Sequence, residues 1–139
     1  MKVQGVHHVA LYVRALPPMV AFYREVLGLP VLAEHQREDG SLRSVWLGLP
    51  GAFLALEAMG KEAPSPAPAA SAASGWFLLA LRIAPGERAV VRAELERAQV
   101  PVEHETRWTM YVRDPEGNRV ALSHHPHAAE GAQDGWPGG

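Results

Sequence analysis

The chain has 139 residues, 47% of them apolar and 20% charged, which are the values of an ordinary globular domain. Its formal charge of -2 gives no basic footprint for nucleic acid or an anionic membrane, so neither is an expected partner. The absence of cysteine excludes disulfides, thiolate metal sites and cysteine nucleophiles, and no apolar run approaches the ~20 residues needed to cross a bilayer. Met1 to Gly5 lacks the basic-then-apolar layout of a signal peptide, and a cytoplasmic location is the expectation.

Val6 to Val13 is rich in β-branched residues and reads as a strand. Its alternation sets His8, Ala10 and Tyr12 on one side and the more apolar His7, Val9, Leu11 and Val13 on the core side. Pro17 and Pro18 suit the first turn of a helix, along which Met19, Phe22, Tyr23, Val26 and Leu27 recur at helical spacing. Gly28 can take the left-handed conformation that ends a helix. Leu29 to His35 reads as a second strand, and Pro30 near its start favours a sheet edge. Asp39-Gly40 marks a hairpin turn before the strands Ser44 to Leu49 and Ala52 to Glu57.

Met59 to Gly75, dominated by alanine, proline and serine, has the composition of a linker. A strand from Trp76 to Ile83 follows, then a helix opened by Pro85-Gly86 and carrying Val91, Leu95 and Ala98 on one face. Val100 to Glu105 reads as a further strand with Pro101 near its start. Arg107 to Val112 and Arg119 to His124 are strands joined by Asp114-Pro115-Glu116-Gly117-Asn118, where proline sets the second position of a turn. The tail from 126 to 139 is small, polar and glycine-rich, and disorder is expected there.

The order β-α-β-β-β therefore occurs twice. Residues 7–13 overlay residues 77–83 at a shift of 70, and Phe53-Leu54-Ala55-Leu56 overlays Arg119-Val120-Ala121-Leu122. A repeated unit that leaves its apolar face uncovered predicts an α+β protein of two tandem βαβββ modules. Module one spans 1–58, the linker 59–75 and module two 76–125, together one domain over 1–125.

This frame, with His8-Val9-Ala10-Leu11-Tyr12-Val13, Phe22-Tyr23-Arg24-Glu25-Val26-Leu27-Gly28-Leu29 and Asp114-Pro115-Glu116-Gly117-Asn118-Arg119, resembles the vicinal-oxygen-chelate superfamily of glyoxalases, bleomycin-resistance proteins and extradiol dioxygenases. The resemblance implies paired curved mixed sheets around a central cleft, with the helices outside. It implies a homodimer as well, and a metal in the cleft held by residues of the first and last strand of each module. Carried over by position, those ligands fall on His8, Ala55, Leu78 and Ala121. Leucine and alanine cannot coordinate a cation, and a lasting site needs about three or more protein ligands, so no resident metal is expected at that position.

A shifted set of His8, Glu57 and His125 keeps a divalent metal as an alternative, since Glu57 and His125 share the strand faces of Ala55 and Ala121. Strand geometry should split each histidine doublet, His7-His8 and His124-His125, between opposite faces. His7 is then expected in the core, and His125 and His127 in solvent. The cleft residues implied by the resemblance are His8, Trp46, Glu57, Thr109, Tyr111 and Arg113, an aromatic wall with a few polar groups suited to a small organic molecule. Arg82, on the face of His8 in the overlay, could meet an anionic ligand. Three function classes follow: a metal-free binding protein; a metal-dependent lyase, epimerase or dioxygenase; and a dimerisation or regulatory module that keeps only the fold.

Overall fold

The computed structural model describes residues 1–60 and 75–126. Most of the linker and nearly all of the tail lie outside the described residues, as does His127. The elements run β1 (His8–Val13), α1 (Leu16–Ala21), a π-helical turn (Phe22–Val26), β2 (Val31–Gln36), β3 (Leu42–Leu49) and β4 (Ala52–Ala58). After the linker come β5 (Leu79–Arg82), a 3₁₀ turn (Pro85–Glu87), α2 (Arg88–Arg97), β6 (His104–Glu105), β7 (Thr109–Arg113) and β8 (Arg119–Ser123). The protein is α+β with two βαβββ modules. Each module forms one mixed sheet, of order β1-β4-β3-β2 and β5-β8-β7-β6 respectively.

By its contacts the chain divides into two compact units. One is drawn from the chain up to Trp76 together with Asp114–Gly117, the other from Phe77–Arg113 and the chain from Asn118 onward. The turn between β7 and β8 thus belongs to the first unit rather than to the module that its sequence position suggests.

In the first unit β1 runs parallel to β4, and β3 is antiparallel to both β4 and β2. One face of this sheet buries Val13, Val45, Leu47, Leu54 and Leu56 with Leu16, Met19, Phe22 and Tyr23 of the helix. The expected alternation of β1 holds: Val9, Leu11 and Val13 are more buried than His8, Ala10 and Tyr12. His7 does not follow it. It lies before the strand begins and is exposed, so the expected core position is corrected.

The helix is not α-helical as far as Gly28. From Phe22 it widens, with the Leu27 N–H donating to the Phe22 carbonyl at 3.1 Å, five residues back. Two consecutive aromatics, Phe22 and Tyr23, are buried in this turn. Gly28 ends it at φ +75°, the left-handed conformation expected there.

The start of the helix has no side-chain cap of its own, because Ala15 occupies the capping position. Glu116 instead meets the N–H groups just ahead of the first turn, as the glutamate of a capping box does, but from a distance. Its carboxylate accepts the N–H of Arg14 at 2.8 and 2.9 Å and that of Ala15 at 2.9 Å. Within the same turn the Glu116 N–H donates to Asp114 Oδ1 at 3.0 Å, and the Gly117 N–H donates to the Asp114 carbonyl at 2.9 Å. Gly117 stands at φ +86°, as its place in the turn requires.

In the second unit Leu95 of α2 is buried, and so are Met110, Val112, Val120 and Leu122 of β7 and β8. Arg88, in the first turn of α2, donates to the carbonyls of Thr106 at 2.8 Å and Arg107 at 3.1 Å, and to Glu105 at 2.9 Å. Arg92 also pairs with Glu105. The strands expected over Trp76–Ile83 and Val100–Glu105 are shorter than anticipated. Trp76 and Phe77 are exposed, and β6 pairs with β7 only at His104 and Glu105. Pro30 and Pro101 each precede an edge strand, β2 and β6, where a missing N–H costs least.

Candidate functional site

The register of the first sheet decides which side chains share the face turned away from α1. His8 pairs with Phe53, Ala10 with Ala55 and Tyr12 with Glu57. Trp46 pairs with Ala55 and Ser44 with Glu57, while Ala33 meets Trp46 and His35 meets Ser44. Phe53 faces Gly48 across β3. Since Gly48 has no side chain, the aromatic neighbour of Phe53 is the diagonal Trp46.

These positions build one aromatic row across all four strands. His8 stacks on Phe53 with centroids 4.8 Å apart and planes 9° apart. Phe53 stacks on Trp46 at 4.5 Å and 23°, and Trp46 meets His35 at 4.6 Å in a T-shaped contact. Near-parallel rings about one strand spacing (~4.8 Å) apart stack in the direction that crosses the strands. They therefore turn their edges outward rather than their faces. Aromatic edges carry the positive side of the quadrupole, and with the Trp46 indole N–H the row favours an electron-rich or anionic group over a cation.

Two of the expected site residues, His8 and Trp46, are thus brought together, with Phe53 as the link. Glu57 stands apart. It lies four residues along β4 from the partner of His8, ~13 Å at the usual strand rise. An imidazole and a carboxylate so placed do not converge on one ion. Ser44, beside Glu57, is 1% exposed, and its Oγ has no hydrogen-bond partner among the described residues; nor has His35 Nε2.

Thr109, Tyr111 and Arg113 share one face of the second sheet. Thr109 pairs with Ser123, Tyr111 with Ala121 and Arg113 with Arg119. The Thr109 and Ser123 hydroxyls are hydrogen-bonded at 2.8 Å. The Arg113 guanidinium donates from Nε to both oxygens of Glu103, at 3.1 and 3.0 Å. Arg82 is exposed on β5 opposite Ser123.

His124 and His125 are both half-buried, so the expectation of a solvated His125 is corrected. Trp108 has an edge contact with each ring, and the His124 Nε2 lies 3.1 Å from Arg88. The other doublet also departs from alternation, since the Nδ1 atoms of His7 and His8 are 2.8 Å apart.

The positions at which the resemblance implies a metal hold one imidazole, from His8, and the aliphatic side chains of Ala55, Leu78 and Ala121. This donor set does not fit a divalent ion. Among the described residues no three or more histidine, aspartate or glutamate side chains are gathered to hold one. Among those residues, too, no helix is long and apolar enough to cross a membrane.

Phe53 and His35 are the site residues that sequence reasoning missed. Phe53 was within reach of it, lying two residues before Ala55 and so on the same strand face.

Among solved structures the chain is similar to a lactoylglutathione lyase from Agrobacterium tumefaciens, with 25% identity, a TM-score of 0.66, and coverage of 88% of this chain and 95% of that one. It shares its fold with a genomically encoded fosfomycin resistance protein, FosX, from Listeria monocytogenes (14% identity, TM-score 0.67, 88% and 91% coverage). A mutant of that protein is known in complex with Mn(II) and a dihydroxypropylphosphonic acid. An integron cassette protein from the mobile metagenome of the Halifax Harbour sewage outfall has the same fold (20% identity, TM-score 0.64, 87% and 98% coverage). No curated protein matches the chain. Residues 5–122 match the Glyoxalase/Bleomycin resistance protein/Dioxygenase superfamily, and the chain belongs to that family.

Proposed function

We propose that the protein binds a small organic molecule bearing an anionic or electron-rich group on the aromatic face of its first sheet, with no resident metal at the family's usual position. The observation that carries this reading is the row His8–Phe53–Trp46–His35, whose stacked members turn their edges outward. Apolar ring surface supplies burial, and the ring edges with the indole N–H supply polarity of one sign. The aliphatic residues at the implied ligand positions support binding without metal chemistry. Two relatives of this fold are described as a lyase and a resistance protein, both of which handle small molecules, and this supports the ligand class without fixing the ligand. Thr109, Tyr111 and Arg113, on one face of the second sheet, form a separate candidate surface and are not part of this proposal.

Tryptophan fluorescence titrations with a panel of aryl carboxylates and alkyl phosphonates, set against quaternary ammonium compounds, test the reading. Saturable binding should appear among the anions and should weaken in both Phe53→Ala and Trp46→Ala. Binding confined to the cations, or indifferent to both substitutions, would sink it. Metal analysis of protein purified without chelator should find well under one equivalent of manganese, iron or nickel.

A further inference from the structure

We infer that His7 and His8 form a labile bidentate chelate for an exchangeable divalent cation of the Cu(II) type, a site that shares only His8 with the family frame and with the aromatic row and does not rest on the ligand proposed above. Adjacent residues in a strand point to opposite faces, and that would separate the two rings. Here β1 begins only at His8, so His7 is released from the alternation. Its ring turns to the same side as that of His8, and the two Nδ1 atoms approach to 2.8 Å.

Phe53 holds both rings. His8 stacks on it at 4.8 Å, and His7 meets its edge at 5.6 Å. Both histidines are exposed, so the pair is open to an ion from solvent. In the metal-free protein one ring must donate a proton to the other.

The separation matches what a metal requires. Imidazole nitrogens bind first-row divalent ions at ~2.0–2.1 Å, and two of them in cis positions then stand ~2.9 Å apart. Turning the two exposed rings out of their mutual hydrogen bond would aim both lone pairs at one ion, which takes the place of the shared proton. Nitrogen donors in cis leave two equatorial positions for water or a ligand oxygen, the tetragonal arrangement that Cu(II) prefers. Cu(II) also heads the affinity order of divalent ions for such donors.

The test uses metal-stripped protein and Cu(II) alone as the probe, with free glycine as competitor. Electron paramagnetic resonance reads the number of coordinated nitrogens, and calorimetry reads the affinity. The variants His7→Phe and His8→Phe keep a ring against Phe53 and remove one donor each. One equivalent of Cu(II) with two imidazole nitrogens is expected, weakened about tenfold or more in either variant, because the second imidazole binds as an intramolecular step. A control with His104, His125 and His127 changed to alanine should bind as the parent does. Loss in His8→Phe with His7→Phe unaffected would overturn the inference in favour of a site centred on His8 alone. Loss in the control, or no binding by the parent, would overturn it as well.

Discussion

The Tyr23 hydroxyl donates a 2.8 Å hydrogen bond to the carboxylate of Asp114, a residue 91 positions later in the chain, and both partners are buried. Burial, and then the charge of Asp114, raise the phenol's pKa far above its ordinary 10.0. The group is therefore neutral in the folded protein. Stability from this pair is fully present below pH 10.0 and declines above it, as the unfolded chain begins to lose a proton that the folded chain keeps.

Tyr23→Phe should cost ~1–3 kcal/mol in urea unfolding at neutral pH, because it leaves a buried carboxylate short of a donor. In an Asp114→Ala background the same change should cost much less. Strict additivity of the two substitutions would show that the bond contributes nothing of its own.

Gln99 is in the left-handed conformation at φ 58°, just past the end of α2. Its N–H donates to the Glu96 carbonyl at 3.0 Å, and the Val100 N–H donates to the Leu95 carbonyl at 2.9 Å, which is the Schellman pattern. A side chain in that conformation costs ~1–2 kcal/mol, so Gln99→Gly should raise stability by roughly 1 kcal/mol. A lowered urea midpoint in this variant would count against the assignment.

The Glu105 carboxyl is held below its ordinary value of 4.5, first by its hydrogen bond from Arg88 and then by that from Arg92. A depressed folded-state pKa contributes stability that is present above the unfolded value and is lost as pH falls through the folded one. Carbon-13 titration of Glu105 should give a midpoint below 4.5, rising further in Arg88→Ala than in Arg92→Ala. Added salt should narrow these differences, since the group is exposed. An unshifted midpoint in the parent protein would refute the arrangement.

Much of this was legible in the sequence, for local reasons. The alternation of β1, the left-handed Gly28 and the turn at Gly117 each follow from one residue type meeting one backbone requirement. The duplicated order of elements could be read because, in each half, apolar spacing switches from a period of two to 3.6 and back. What escaped depended on neighbours distant in the chain. The aromatic row requires the register between β1, β4 and β3, which places Gly48 rather than a large side chain opposite Phe53. The meeting of His7 with His8 depends on where β1 begins, a boundary that propensity leaves uncertain by a residue or two. The widened turn at Phe22 leaves the apolar stripe unchanged and so gives no signal in the spacing.

A homodimer is the expected outcome, on the family's habit and on exposed apolar residues near the edge strand β1, where Tyr12 is 73% and Val6 64% exposed. Sedimentation at micromolar concentration should report about twice the 15.1 kDa chain mass. A monomer throughout a concentration series would defeat this.

The reliance of the first unit on Asp114 and Glu116 has a consequence for biosynthesis. A ribosome delivers residues 1–60 long before it delivers the turn that accepts the Tyr23 hydroxyl and the N–H groups of Arg14 and Ala15. Until that turn emerges, the opening helix has no cap and its buried phenol no acceptor. Folding of the first unit during translation is therefore held incomplete until most of the second has been made. An amino-terminal half released early, by truncation or a nonsense codon, would be left as an unfinished species open to proteolysis.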